Sequence, residues 1–422
     1  MRVQTKMNIN ERRKYLKIMQ ERYVPSDRAG RTELLDEMER TVGLHRKSLV
    51  RLMHSDLDRK PRRKQRGRTY GPQVDDAIRV IWETLDFLCA ERLTPALPWM
   101  AQLLDDHGEL SVLPEIFQQL DLISIATVGR ILKRISQDTP RLSRKRRKSG
   151  NSVTAGIPTR CIPRDEQQPG HLETDLVHQC GPSTSGEYLL TLQMVDVATG
   201  WSELVAVLGR SYRVIEDAFC RILTRIPFPV MEVHPDNDSV FFNHHTKRFW
   251  GDKVPNVQLS RSRPWHSNDN RLVEEKNASL VRKYLGHDRL DTAAQTLAVN
   301  RLYDKIWIYY NLFLPVMHLQ EKIYLPREGQ TSRVKRRFDV AQTPFDRLCA
   351  TKAISPERRE ALENLRRHTN PRRLREEIYD QIDYIFSLPG AAPGTTEDVF
   401  QTLSDSNPAK KGDPALVTLS IE

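Results

Sequence analysis

Cysteine is scarce and unpatterned in this chain: Cys89, Cys161, Cys180, Cys220 and Cys349 form no CxxC pair and are odd in number. That spacing argues against a disulfide scaffold and against a zinc ribbon. His234, His266 and the neighbours His244 and His245 have no Cys or His partners at finger-like intervals, so no structural zinc is expected. Long apolar runs are missing as well. No stretch approaches the length a membrane span requires, and the first residues, MRVQTKMNINERRKYLK, lack the apolar core of a signal peptide. No internal repeat is found. These absences predict a protein of a reducing compartment without a membrane partner.

Positive charge, by contrast, is in excess. The 422 residues carry 66 Lys and Arg against 55 Asp and Glu, a formal net charge of +11. Such an excess favours a polyanionic partner, although a merely well-solvated surface gives the same total. Clustering decides better than the total. Arg59 to Arg68 reads RKPRRKQRGR, seven basic residues and no acid, and Arg141 to Lys148 reads RLSRKRRK, six basic of eight. Arg62, Arg63 and Lys64 in the first run, and Arg144, Lys145, Arg146 and Arg147 in the second, read as arms against phosphates. A solvated linker is the alternative for each. With double-stranded DNA as partner, the expected location is the cytoplasm, in association with the nucleoid.

A chain this long exceeds one ordinary core, and its patterning divides it into regions. In residues 1–58, TELLDEMERTVGLHRKSLVRLM splits at Gly43 into two short amphipathic helices, the outline of a helix-turn-helix. Leu34, Leu35, Met38, Val42, Leu49 and Leu52 are its expected core, with His45, Arg46, Lys47 and Arg51 turned toward a DNA groove. Many helical hairpins share this pattern. Residues 59–136 read as a second helical DNA-binding region, broken at Pro95, Pro98 and Pro114. It ends in SIATVGRILKRI, where Ser124 caps a helix with Arg130, Lys133 and Arg134 on its polar side. Residues 137–168 form a basic linker punctuated by Gly150, Gly156, Pro158 and Pro163.

From Pro169 the apolar period shortens to that of strands. HLETDLVHQC, YLLTLQMVDVAT and WSELVAVL predict a three-stranded antiparallel meander. A helix from Val214 to Thr224, a strand through Val230 to His234, a helix around Thr246 to Trp250, a strand at Val257 to Leu259 and a long helix from Asp269 to Leu285 follow. The sum over residues 169–287 is a mixed five-stranded α/β sheet. Residues 288–388, with NRLYDKIWIYYNLFL, the basic RVKRRFDV, AQTPFDRL and helices over Pro356 to His368 and Pro371 to Phe386, read as a mostly α-helical DNA-binding or assembly region. The tail, 389–422, is poor in apolar residues and is expected to be disordered.

Three acids at unequal intervals carry the chemistry. Asp175 lies in HLETDLV, where Glu173 and Asp175 share one side of a strand and Thr174 takes the other. Asp236 follows the apolar VMEVH, at the strand end where open α/β sheets present ligands. Between Glu274 and Glu275, helical geometry chooses the first. Val273, Asn277, Leu280, Val281 and Tyr284 fall on one stripe with Glu274 at its flank, while Glu275 faces water. Carboxylates are the ligands a hard divalent ion takes, and a pair of such ions clamps both oxygens of an in-line phosphoryl displacement. A turn former or a surface acid is the alternative for each residue alone. Arg261, Arg263 and Trp265, in SRSRPWHSNDN, precede the acidic helix and suit strand contact by charge and stacking.

These segments resemble the transposase and retroviral integrase superfamily, most nearly bacterial insertion-sequence transposases with an integrase-type core. The residues that carry the resemblance are ETDLV, YLLTLQMVDVATGWSE, HPDNDSVFFN and RSRPWHSNDNRLVEEKN, covering roughly Gly170 to Tyr284. The interval from Asp236 to Glu274 is close to the family's own. The resemblance implies a ribonuclease H-like fold and an Asp-Asp-Glu site in which Asp175, Asp236 and Glu274 hold two Mg²⁺ or Mn²⁺ ions. It also implies strand cleavage by water, attack of a 3′-hydroxyl on target DNA, and a homo-oligomer bridging DNA ends. A need for an accessory ATPase stays open. Where relatives commonly have Gly, this chain has Asp238, a fourth carboxylate beside the site. A DNA-binding regulator without catalysis and a purely hydrolytic ribonuclease H-type nuclease are the competing readings.

Overall fold

The computed structural model describes residues 7, 9–57, 70–135, 162–163, 166–236, 238, 240–241, 243–263, 269–327, 330–392, 397–399 and 401–402. The chain divides into two compact units, Met1–Thr69 and Tyr70–Glu422.

The first unit contains helices α1 (Ile9–Tyr23), α2 (Arg28–Val42) and α3 (Arg46–Met53). Asp27 caps α2 by accepting the Gly30 N–H, and Gly43 ends it with φ 68°, a left-handed turn that a β-carbon disfavours. His45 then caps α3, its ring nitrogen accepting the Lys47 N–H. Leu16, Met19, Tyr23, Leu34, Leu35, Met38, Val42, Leu49, Met53 and Leu57 form the core. Gln20 of α1 donates to the carbonyls of Met53 and Ser55, both at 2.9 Å, and so fastens α1 to the end of α3. One expectation is corrected here. Met53 takes the fully buried place and Leu52 packs only at its edge, because the cap at His45 sets the phase of this eight-residue helix.

In the second unit, α4 (Pro72–Thr84), α5 (Ala90–Leu93), α6 (Leu97–Asp106), α7 (Pro114–Leu122) and α8 (Ile125–Ile135) precede the sheet. The helical block is interrupted at Pro95, Pro98 and Pro114, as the sequence reading expects. Each sits in the first turn of a helix or 3₁₀ segment, where its missing N–H is not needed. Ser124 accepts the Thr127 N–H at 3.3 Å, and Arg130, Lys133 and Arg134 lie on the exposed side of α8.

The sheet holds β1 (His171–His178), β2 (Leu189–Asp196), β3 (Ser202–Leu208), β4 (Glu232–Pro235) and β5 (Gln258–Leu259) in the order β3-β2-β1-β4-β5. The first three strands pair antiparallel, and β4 and β5 run parallel to β1, as a mixed five-stranded sheet requires. Gly170 leads into β1 with φ 116°, pressed so close to the Pro229 carbonyl that no β-carbon fits. Helix α9 (Tyr212–Arg225) packs on β3, and α10 (His244–Lys253) packs on α9. Then α11 (Arg271–Lys276), a π-turn over Asn277–Val281 and α12 (Arg282–Leu285) continue as one rod.

The long helix α13 (Ala293–Phe313) covers the β3 edge of the sheet. Asn300 exchanges hydrogen bonds with the Ala206 backbone at 2.9 and 2.8 Å, and Asn311 does the same with Ser202 at 2.9 Å each way. Two side-chain amides thus stand in for a further strand and close an edge that otherwise invites pairing with another chain. After α13 come β6 (Leu319–Arg327) and β7 (Gln330–Phe338), an antiparallel hairpin, then α14 (Pro344–Cys349), α15 (Pro356–His368) and α16 (Pro371–Ser387). The sequence reading has no strands there, so the hairpin is a correction. RVKRRF shows no apolar alternation because neither face of its described part is buried.

Helices on both sides of the sheet in sequence share its hydrophobic core. The Tyr309 hydroxyl donates to the Thr84 carbonyl, and Arg92 to the Pro315 carbonyl at 2.6 Å. Asp86, buried and with φ 54°, meets Lys283 of α12, Arg375 and the Tyr379 hydroxyl of α16, and the Tyr284 hydroxyl. Segments expected as the separate regions 59–136, 169–287 and 288–388 therefore contribute to one core. The linker runs and most of the tail lie outside the described residues.

Candidate active site

Parallel pairing brings the first two acids together. Thr174 stands opposite Pro235 in register, and the Asp236 N–H donates to the Thr174 carbonyl at 3.2 Å, so Asp236 leaves β4 beside Asp175 of β1. With its amide turned so that the oxygen meets donors, Asn270 accepts the Asp236 N–H at 2.9 Å and the Ser262 hydroxyl at 3.2 Å.

The third acid is held against β1 from both sides along its helix. Glu173, fully buried, accepts the N–H of Leu272 at 2.7 Å and of Val273 at 3.0 Å, satisfying two donors that the first turn of α11 leaves open. Just after α11, the Asn277 amide donates to the Asp175 carboxylate at 2.5 Å. Glu274 lies between these two fastenings. Asn277 also opens the π-turn, a local widening that is frequent at functional positions. Val273, Leu280, Val281 and Tyr284 are buried, as the helical stripe predicts, while Glu274 and Glu275 are both exposed, the Glu275 side chain at 71%.

The charges feel one another. Burial first, and Asp236 second, push the Asp175 carboxyl up to about 7; Glu274 adds to the rise, while the Leu176 N–H and Asn277 oppose it. Glu274 is raised by desolvation at the cleft and then by Asp236. Glu173 is pushed up to about 7 by burial, against its two helix N–H donors and Arg271. Among the described residues, no three His, Cys, Asp or Glu side chains already stand close enough to hold a metal ion. The Asp175 oxygens are occupied by the Leu176 N–H at 2.8 Å and by Asn277, and Asp236 is exposed.

Asp238 does not join the cluster. Its carboxylate accepts from Arg210 at 2.7 and 2.9 Å, a pair at the protein surface.

Other expected contacts are placed variously. His45, Lys47 and Arg51 are exposed on the first unit, with His45 also serving as the cap of α3, and Arg46 is ion-paired with Asp36. Arg263 binds the buried Asp269 through backbone N–H and guanidinium at 2.8–2.9 Å, and Arg261 is partly buried. Arg62, Arg63, Lys64, Arg144, Lys145, Arg146, Arg147 and Trp265 lie outside the described residues.

Sequence reasoning missed a buried polar chain behind β4. His171 pairs with Glu232 at 2.8 Å, Ser260 donates to Glu232 at 2.5 Å and meets His234 at 2.7 Å, and Ser262 lies 3.4 Å from His234. Glu232 and His234 are fully buried. The one signal was their position inside strands, where an unpaired polar group is costly and implies a partner. The helix-capping role of Glu173 had no local signal, since its partners stand about a hundred residues downstream.

No protein-family model matches the sequence. Among solved structures, the catalytic core domain of BIV integrase aligns with a TM-score of 0.25 and 14% identity, covering 34% of this chain and 83% of that one. The HTLV-2 integrase catalytic core domain in complex with magnesium aligns with a TM-score of 0.27 and 17% identity, covering 39% and 93%. A curated protein is far nearer: the uncharacterized protein y4rM of Sinorhizobium fredii (strain NBRC 101917 / NGR234) is 34% identical over 328 residues, 78% of this chain and 92% of that protein. The chain belongs to the family of y4rM.

Proposed function

We propose that this protein is a DNA transposase of the Asp-Asp-Glu type, a polynucleotidyl transferase that cuts and joins strands at mobile-element ends. The observation that supports the reading is that Asp175, Asp236 and Glu274 lie within electrostatic reach of one another. They come from a strand, a strand end and a helix far apart in sequence, and, after burial, their charges add to the rise of the Asp175 and Glu274 carboxyls.

The donor chemistry fits a divalent cation. All three groups are hard carboxylate oxygens, and their mutual repulsion is what a cation relieves. Asp175, Asp236 and Glu274 would hold two Mg²⁺ or Mn²⁺ ions, which supply Lewis-acid activation of an attacking oxygen and charge stabilisation of the leaving one. The chain's own part is positional. Glu173 fixes the start of α11, Asn277 holds Asp175, and Asn270 ties the loop before α11 to Asp236. In this reading the three acids so positioned would present a phosphodiester in line to water and then to a 3′-hydroxyl. The +11 net charge supports a DNA substrate, element ends and target alike. The three-helix first unit is a candidate helix-turn-helix reader, and a homo-oligomer on DNA completes the reading.

The test is joining of element-end DNA by the purified protein with Mg²⁺ or Mn²⁺. Joined product is expected from the wild type and is lost in Asp175→Asn, Asp236→Asn and Glu274→Gln, with DNA binding retained. Unchanged joining in all three variants overturns the site. A wild type that binds equally without ions and never joins ends is the non-catalytic regulator instead, and one that only cleaves RNA·DNA hybrids is the nuclease.

A further inference from the structure

The β6–β7 hairpin is held firmly at its root and meets little else along its described arm. At the root, Asp339 accepts the His318 N–H and an Arg347 nitrogen, both at 2.7 Å, and its own N–H donates to the His318 carbonyl at 3.0 Å. Arg347 also donates to the carbonyls of Val316 and Val340. A β-carbon placed on Gly200, in the β2–β3 turn, would lie 3.3 Å from the His318 ring, so the root packs on the main sheet.

Beyond that clamp, Val334, Lys335, Arg336, Arg337 and Phe338 are all exposed, Val334 at 42% and Phe338 at 45%. A two-stranded hairpin is marginal in water by itself, and a long exposed edge is normally protected. This one carries charge of a single sign on β7. QTSRVKRRF contains no acid, and among the described residues Lys335, Arg336 and Arg337 have no ion-pair or hydrogen-bond partner. Asp339, the next acid along the chain, is already occupied at the root by Arg347.

The strand period distributes these cations. Lys335 and Arg337 project to one face and Arg336 to the other, opposite Ile323, Glu321 and Lys322 of β6 respectively. Cations on both faces match a ribbon lying between two walls of phosphate, and the major groove of a DNA duplex is wide enough to admit a two-stranded β-ribbon. The root also lies within electrostatic reach of the acid-bearing helix. His318 is pushed down to about 4, first by burial and then by Arg347, with Lys276 and Arg271 of α11 contributing against Asp339.

We propose that the β6–β7 hairpin is a DNA-gripping ribbon, in which Lys335, Arg336 and Arg337 hold the phosphate backbone of the duplex on which the protein acts. The proposal rests on the transposase reading for the identity of its partner. Its own signature is the salt dependence of binding, because each phosphate contact contributes about 0.9 to the slope of log affinity against log salt.

The experiment is fluorescence anisotropy of the full chain on a mixed-sequence DNA duplex across a salt series. The wild type is compared with the triple variant Lys335→Gln, Arg336→Gln, Arg337→Gln and with Arg336→Gln alone. Circular dichroism and the unfolding midpoint confirm that each variant folds. The triple variant is expected to lose roughly 10- to 100-fold in affinity at low salt and about 2 to 3 in slope, and Arg336→Gln about 0.9 in slope. Unchanged slopes in folded variants overturn the ribbon, as does a wild type that does not bind duplex DNA. A wild type that binds with a ribbon-dependent slope yet never joins DNA ends keeps the ribbon and overturns the transposase reading. Joining by a wild type whose ribbon variants bind normally does the reverse.

Discussion

The Glu173 carboxylate is bonded to the backbone N–H groups of Leu272 and Val273, and through them strand β1 sets the position of the helix that carries Glu274. Glutamine at position 173 keeps an acceptor and sheds a buried charge whose carboxyl is already pushed up to about 7 by burial. Alanine leaves both donors unmet. Glu173→Gln is expected within about 1 kcal/mol of the wild type in denaturant unfolding, and Glu173→Ala lower by about 1–3 kcal/mol. Equal stability of the two variants argues that the helix start finds other partners.

The His171–Glu232 pair predicts a pH dependence. The hydrogen bond to Glu232 is the main cause raising His171 above its ordinary value; burial opposes it, and Glu166 and Asp196 add to the rise. A group whose folded value lies above its unfolded one contributes stability that is complete below the unfolded value of 6.5 and is lost as pH rises through the folded one. His171→Gln should therefore destabilise more at about pH 5.5 than at about pH 9, by on the order of 1 kcal/mol, in paired thermal melts. A constant difference across that range contradicts the assignment.

Asp86 holds together cations from two distant helices. Burial first, and Arg375 second, push Lys283 down to about 8, and both cations meet the Asp86 carboxylate. Asp86→Asn leaves two partly buried cations without a counter-charge and is expected to cost about 3–5 kcal/mol in denaturant unfolding. A loss under about 1 kcal/mol means that solvent reaches these groups freely.

The edge amides make a local prediction. Asn311→Ala removes both bonds to Ser202 and is expected to cost about 1–3 kcal/mol. Amide hydrogen exchange at Ser202 should quicken while that at Ala206, still bonded to Asn300, stays slow. Equal acceleration at both positions indicates that α13 moves as a whole.

What the residue pattern revealed and what it hid follow from the range of the interactions. The meander, the parallel strands and the acid-bearing helix are each written in local alternation or helical stripe, so Asp175, Asp236 and Glu274 were placed on their elements from sequence. Glu274 was separated from Glu275 by phase alone. The β6–β7 hairpin was hidden because a strand exposed on both faces has no apolar period. The shared core of the second unit was hidden because its fastenings, such as Asp86 to Lys283 and Tyr309 to Thr84, join residues some two hundred positions apart. Pro95, Pro98 and Pro114 were legible as element boundaries because the residue that breaks a helix interior begins a helix well.

The central claim is that Asp175, Asp236 and Glu274 serve one divalent-metal site. The measurement that meets it most directly is titration of the full chain with Mn²⁺, with free ion read by electron paramagnetic resonance. The account predicts uptake by the wild type, retained in Glu275→Gln and lost or greatly weakened in each of Asp175→Asn, Asp236→Asn and Glu274→Gln. Uptake by all three of those variants at the wild-type level, or no uptake by the wild type, contradicts it.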